Sequence, residues 1–204
     1  MRFSTTAKSA MLDALDESQT VGAKYGSLHS AYSATGANEL AGGGPAYARK
    51  AAAWAAAASG SKAMTGTLVF DVPAGQTVRW LGLWDAVTAG TFLGMTPNGG
   101  TVPQAFVVPD STNDTLECAA HGFSVNDAVV VWAGSGDPLP APLVEGTVYW
   151  VAARTTDDLT LATTSGGPVL DLLAVGAGLL QRIVPEVFGA QGTHTITSCT
   201  LSLD

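Results

Sequence analysis

The sequence predicts a mainly β protein, and three observations carry the prediction. Residues Leu68 to Trp84 hold two apolar runs at period two, Leu68/Phe70/Val72 and Val78/Trp80/Trp84, around Pro73-Ala74-Gly75-Gln76. Alternation of this kind buries one face of a strand. The 24 glycines and 10 prolines are spread along the chain, which favours many short strands over long helices. From about residue 106 to 186, short β-rich segments recur with Pro, Gly or Asp between them, the rhythm of a small all-β barrel or sandwich. Because proline presets φ and Gly75 adopts positive φ at no steric cost, residues 68–84 are expected to fold back as a β-hairpin.

Taken in order, residues 5–17 carry Ala7, Met11, Leu12 and Leu15 at spacings of three and four, with Thr5 or Thr6 as N-cap. This predicts one short amphipathic helix. Its acids, Asp13, Asp16 and Glu17, crowd the end that the helix dipole disfavours, so packing of the Met11/Leu12/Leu15 stripe is expected to hold it. Tyr25-Gly26-Ser27-Leu28-His29 reads as a strand and residues 35–45 as a long ordered loop. Residues 51–58, seven alanines and Trp54, favour helix by propensity. The run is nevertheless short and feeds directly into the central segment, so it is read as an edge or interior strand. Further strands are expected at 91–95, 115–118, 128–132, 146–153 and 159–162, with loops at Pro138/Pro140/Pro142, Asp157-Asp158 and 165–168. Gly192 to Leu203 reads as a terminal strand.

Nine Lys and Arg against 17 Asp and Glu give a formal charge of −8, which repels a phosphate backbone and argues against nucleic acid as a partner. No apolar run approaches the roughly 20 residues that span a bilayer, so membrane insertion is not expected. The start Met1-Arg2-Phe3-Ser4 leads into polar Thr5, Thr6 and Lys8; without an apolar leader pattern, the protein is expected to be made and assembled in a cytoplasm. Cys118 and Cys199 are too few and too far apart to define a disulfide framework or metal cluster.

Several constellations invite chemistry, and each has a structural counter-reading. Gly42 to Gly44 run into Pro45 and Tyr47 with no strand-loop-helix context, so they do not read as a phosphate cradle. His29 and Glu39 lack a third metal ligand at a recognisable spacing. Cys118 and His121 lie three apart, but a nucleophile and its base must meet at hydrogen-bond distance with a third group orienting the base. Asp157 and Asp158 are adjacent and point apart, whereas a glycosidase pair faces one bond across about 5 to 9.5 Å. The five tryptophans could stack on sugar, yet their alternating placement reads as core. No catalytic, cofactor-binding or metal residue is therefore assigned; no cofactor and no enzymatic activity are expected.

The ordered motifs Leu28-His29, Thr35-Gly36-Ala37-Asn38-Glu39, Gly43-Gly44-Pro45-Ala46-Tyr47-Ala48-Arg49-Lys50-Ala51, Phe70-Asp71-Val72-Pro73-Ala74-Gly75, Gly82-Leu83-Trp84-Asp85-Ala86 and Gly90-Thr91-Phe92-Leu93-Gly94 resemble a family of tail-fibre or minor tail proteins of phages of high-GC hosts. The likeness covers residues 7–95 and resumes near Phe188 to Thr193. Residues 111–184 resemble a second module recurrent in phage tail and fibre proteins, marked by Ala120-His121-Gly122-Phe123, residues 146–151 and residues 159–167. Asn126-Asp127 stands where that module usually has Gly-Asp, and asparagine tolerates the left-handed conformation. The resemblance implies an antiparallel β-sandwich-like module over 1–108 together with 187–204, with one short N-terminal helix, and an inserted small β-barrel or sandwich module over 109–186. It further implies a structural virion subunit of the tail or tail fibre, acting in assembly or host adsorption. A head decoration or connector-associated subunit and a carbohydrate-binding module in host recognition are the alternatives. The expected partners are other virion proteins, further copies of the chain in a homo-oligomer, and a host surface glycan.

Overall fold

The computed structural model describes residues 3–134 and 138–202. Met1, Arg2 and Leu203, on which the leader and terminal-strand readings touch, lie outside the described residues. Among the described residues the structure is mainly β, with one helix, antiparallel pairing between the strands and a closed six-stranded barrel. The chain divides into two compact units, residues 1–96 with 186–204, and residues 97–185.

The first unit contains helix α1 (Thr5–Asp13) and strands β1 (Tyr25–His29), β2 (Lys50–Ala51), β3 (Ala53–Trp54), β4 (Ser61–Thr65), β5 (Leu68–Val72), β6 (Gln76–Val78), β7 (Trp80–Trp84) and β8 (Phe92–Pro97). Strand β8 ends on the first residue of the second unit. Strands β9 (Gln104–Val108), β10 (Leu116–Glu117), β11 (Ala128–Ala133), β12 (Val148–Arg154), β13 (Asp158–Ala162) and β14 (Gly176–Arg182) build the second unit. The chain then returns to the first as β15 (Glu186–Phe188), β16 (Gly192–Ile196) and β17 (Thr200–Ser202).

The expected hairpin over 68–84 does not form. Strand β5 pairs with β16, β6 with β15, and β7 with β1 inside the sheet β2-β1-β7-β8. A period of two reports which face is buried and says nothing about the partner. All five residues of β7 are buried, as suits a central strand covered on both faces. The returning chain instead retraces residues 61–78 as one antiparallel ribbon. It holds one register from Glu186 opposite Val78 to Ile196 opposite Leu68, then slips by one residue to place Thr200 opposite Ala63. The expected single strand over 192–203 is thus two, and only β16 pairs with the 68–84 segment.

Helix α1 is shorter than expected. Ser4, not Thr5 or Thr6, is its N-cap, its Oγ accepting the Ala7 N–H at 3.2 Å. Of the expected stripe only Leu12 is buried; Met11 is exposed and Leu15 lies beyond the helix, half-buried. The alanine run is extended, but it is shared between β2, which pairs with β1, and β3, which pairs with β4. Ala52 and Trp54 enter the core, and the Trp54 indole N–H donates to the Ala23 carbonyl at 2.6 Å. The core of this unit gathers Leu28, Trp54, Leu68, Phe70, Val72, Val78 and Leu81 with Phe188 and Ile196 from the returning strands. Burying each such side chain contributes about 1.5–3 kcal/mol.

The second unit is a closed barrel in the order β10-β13-β12-β11-β14-β9. Phe106, Leu116, Val129, Val131, Tyr149, Val151, Leu159, Leu161 and Leu180 fill it. Strand β9 belongs to this barrel, through β14 and β10, whereas the sequence reading placed residues 97–108 with the first module. Strand β14 is not among the strands expected from the sequence, and its Gly176-Ala177-Gly178 is a run that strand interiors disfavour. In the barrel a Cβ on Gly178 would stand 2.7 Å from the Trp132 carbonyl oxygen, so glycine is what lets β14 approach β11. The unit's two ends are tied together, the Asn98 amide and carbonyl bonding the Val184 carbonyl and N–H at 2.8 Å each.

Candidate functional site

The motif residues converge in the first unit on the Arg49 guanidinium, whose side chain is 8% exposed. Strand β1 delivers Ser27 and His29, the loop after it delivers Ala37 and Glu39, and β7 delivers Trp84. Arg49 grips Glu39 with both ends of its fork, Nε to Oε1 at 2.9 Å and Nη2 to Oε2 at 2.7 Å. Its Nη1 donates to the carbonyls of Ala86 and Ala89 at 2.9 and 2.7 Å, so the loop after β7 wraps around the cation. The guanidinium lies 3.6 Å from the centroid of the Trp84 ring, a cation–π contact stronger here than at an exposed site. Gly36, at φ +80°, passes so close to the Trp84 and Phe92 rings that a side chain there would collide with them.

A second chain of bonds runs beneath. The Trp84 N–H donates to Ser27 Oγ at 2.9 Å, Ser27 Oγ lies 2.7 Å from His29 Nε2, and His29 Nδ1 lies 2.8 Å from the Ala37 carbonyl. A carbonyl only accepts, so Nδ1 carries the proton and Nε2 accepts from the serine hydroxyl. That tautomer is the neutral one, and burial pushes the His29 pKa down. The Tyr47 hydroxyl accepts the Leu28 N–H at 2.7 Å and donates to Glu39 Oε1 at 3.3 Å; burial pushes its pKa up. Nearby, the Gln191 side chain accepts the Gly44 N–H and donates to the Pro45 carbonyl, tying the glycine-rich loop to the returning chain.

A shallow, wide-mouthed cavity of about 340 Å³ opens between the 39–49 and 87–89 segments. Two of the side chains at its wall are committed: the Arg49 nitrogens go to Glu39, Ala86 and Ala89, and the Tyr47 hydroxyl goes to Leu28 and Glu39. The arrangement ties the 37–39 and 86–89 loops to Arg49.

A family model described as podophage GP4 fiber I protein gp80 matches residues 2–104. The chain belongs to this podophage fibre family. No curated protein and no solved structure matches the chain. The matched stretch of this fibre protein contains His29, Glu39, Tyr47, Arg49 and Trp84, the residues of the network just described. A phage fibre protein is a virion component.

The remaining constellations of the fibre protein are placed as follows. Ser27 and His29 form a hydrogen-bonded hydroxyl–imidazole pair, but both are fully buried. His29 and Glu39 meet across an isolated bridge with separate partners. Among the described residues no three His, Cys, Asp or Glu side chains come together as metal ligands. Cys118 directs its thiol toward Gln104 at 3.7 Å, and burial pushes its pKa up. His121 accepts the Phe123 N–H at Nδ1 and faces the Asp158 carbonyl with Nε2. Both of its nitrogens are occupied away from the thiol. Asp157 accepts the Ala120 N–H, and Asp158 accepts from the Thr155 hydroxyl. Trp54, Trp80 and Trp84 are buried, and Trp132 and Trp150 are half-buried. The sequence does not by itself join Glu39, Tyr47, Arg49 and Trp84, because their contacts span up to 57 residues. The available signal was a polar cluster in a stretch otherwise poor in charge.

Proposed function

We propose that this fibre protein is a non-enzymatic subunit of the phage tail fibre that assembles with further copies of itself and other virion proteins in the host cytoplasm and contributes to host adsorption. The observation that carries this reading is the match over residues 2–104 to a stretch whose polar side chains hold loops in place. Its function is then to keep a shape. Exposed Ala51, Ala53 and Ala55 on β2, β3 and the residues after them support self-association, because small side chains let another subunit approach closely. Immunogold labelling of intact particles tests the position. Label on the tail fibres is expected, and label on the head would favour a decoration or connector-associated subunit instead.

Carbohydrate binding is a second reading, favoured by Trp150. Its neighbours Tyr149 and Val151 fill the barrel, so Trp150 faces outward and is half-buried, a placement that suits stacking on a sugar ring. Glycan-array binding lost in Trp150→Ala would support it, and a blank array would remove it.

A further inference from the structure

The attachment of α1 is unusual for a surface helix. Leu12 is its single buried residue, while Phe3 and Met11 are about half exposed. Nine residues are too few to stay helical alone in water, so α1 is a helix only while docked. Polar contacts dominate the docking. Lys62 of β4, with no exposed side-chain area, places Nζ 2.9 Å from Asp13 Oδ1 and 2.9 Å from Asp16 Oδ2. Asp13 Oδ1 also accepts the Ala57 N–H at 2.9 Å, and Ser9 Oγ accepts the Gly60 N–H at 3.2 Å. The acids that the helix dipole disfavours are thus placed by a buried ammonium.

We propose that residues 5–16 form an ionically latched strap, which leaves β4 as one piece when the latch loses charge while the strands beneath it stay paired. The carboxylates that neutralise the ammonium belong to the strap that covers it. Departure of the strap therefore returns Lys62 to water and does not strand a charge in the core, which lowers the cost of opening relative to breaking an interior pair. Around the latch, β3 and β17 contain no ionisable side chain and β4 contains Lys62 alone; Lys8 of α1 lies with its stem along Gly60, Glu17 follows Asp16 with one carboxylate oxygen buried, and Cys199 adjoins β4 through its carbonyl, which accepts the Met64 N–H.

The direction of the response follows from the charges. The Lys62 ammonium holds Asp16 down to about 2, and the Ala57 N–H and then Lys62 hold Asp13 below its ordinary value. Burial opposes the charge on Lys62, but the two carboxylates outweigh it and raise the pKa. Carboxylates depressed on folding stabilise fully above their unfolded value near 3.8 and lose that contribution as pH falls through the folded one. The strap opens on acidification between about pH 4 and pH 2 and is closed at neutral pH.

The test is an NMR pH titration of the full chain, following the Ala7, Ala10 and Leu12 amides for the strap and the Phe70 and His194 amides for the β5–β16 pair. The strap amides are expected to move to random-coil positions in that window while the β5–β16 amides keep their native ones. Asp16→Asn should shift the strap midpoint upward, toward the ordinary aspartate range near about pH 4, and Lys62→Met should remove the strap's acid response. Loss of both sets of signals at one pH overturns the proposal. So does a strap midpoint unmoved by Asp16→Asn, whatever Lys62→Met does.

Discussion

The two units hold together by different means. The barrel closes on itself through the β9–β10 pair, so each strand is paired by backbone on both sides, and its interior is an apolar filling. The first unit is split into one four-stranded sheet and smaller two- and three-stranded ones, with side chains making the ties: Arg49 to Glu39 and the 86–89 loop, Trp84 through Ser27 and His29 to Ala37, Gln191 to the glycine-rich loop. Their charge differs as sharply. Residues 1–96 with 186–204 contain seven Lys/Arg and eight Asp/Glu, a net −1, whereas residues 97–185 contain two and nine, a net −7. Nearly all the chain's net negative charge therefore sits on the unit that is closed by backbone. The near-neutral unit is the one with open strand edges, and charge repulsion opposes contact between copies least there.

The largest expected effect concerns the returning strands. Truncation after Pro185 removes the partners of β4, β5 and β6 and takes Phe188 and Ile196 from the core. The first unit should fail to fold, with aggregation through the bared edge of β5, while the barrel keeps all six strands. Loss of the native signals of Phe70 with retention of those of Val129 would show this. A soluble truncate with a native first unit would contradict it.

Next comes Arg49→Ala, which leaves Glu39 facing a largely buried site and frees the Ala86 and Ala89 carbonyls. Breaking a buried pair costs about 3–5 kcal/mol, and the loss should fall on the first unit alone. Arg49→Lys should rescue little, since an ammonium supplies neither the fork nor the stacking plane. Urea unfolding followed separately in each unit is the measurement. An equal loss in both units would mean that they unfold together.

The contrast also explains what the sequence made legible. In the barrel, alternation and turn residues are local, and β11, β12 and β13 could be read within a residue or two of their observed ends. Strand β14 could not, because Gly178 is selected by its distance to the Trp132 carbonyl, a property of the closed barrel. In the first unit the buried face of Leu68, Phe70 and Val72 was legible, but the partner was not. Proximity in sequence favoured a hairpin, whereas the actual partner lies some 120 residues away. The Arg49 network was visible only as a string of motif residues, since a bidentate pair and a ring contact are distances between segments. Residues 61–65 are not among the expected strands, and a lysine at position 62 ordinarily argues against burial.

A smaller effect separates the units by pH. Burial depresses His29 in the first unit, so the unfolded chain takes up that proton before the folded one does. The neutral imidazole's contribution is complete above the unfolded value near 6.5 and is lost as pH falls through it toward the folded value. The urea midpoint of the first unit should thus drop between pH 7.5 and 5.5, and His29→Gln should flatten that dependence. A dependence unchanged in the variant would show that another group carries it.

The smallest effect is expected from replacing residues 98–184 with a short Gly/Ser linker. Asn98 and Val184 are directly hydrogen-bonded through both amide and carbonyl, so the chain leaves the first unit and re-enters it at nearly one place. A linker of a few residues can join Pro97 to Pro185 without stretching. Loop-closure cost rises only about 0.6 kcal/mol per doubling of length, so exchanging a folded insert with adjacent ends for a short flexible loop changes little in the closure of the β4–β6 ribbon with the returning strands. The variant should melt cooperatively, retain the Arg49 network, and respond to Arg49→Ala as the full chain does. Its net charge would fall to near −1, so it should also associate at lower concentration than the full chain in sedimentation. If it is unfolded, the first unit depends on the barrel for more than connection. If it folds and stays dispersed, the acidic barrel is not what keeps copies apart.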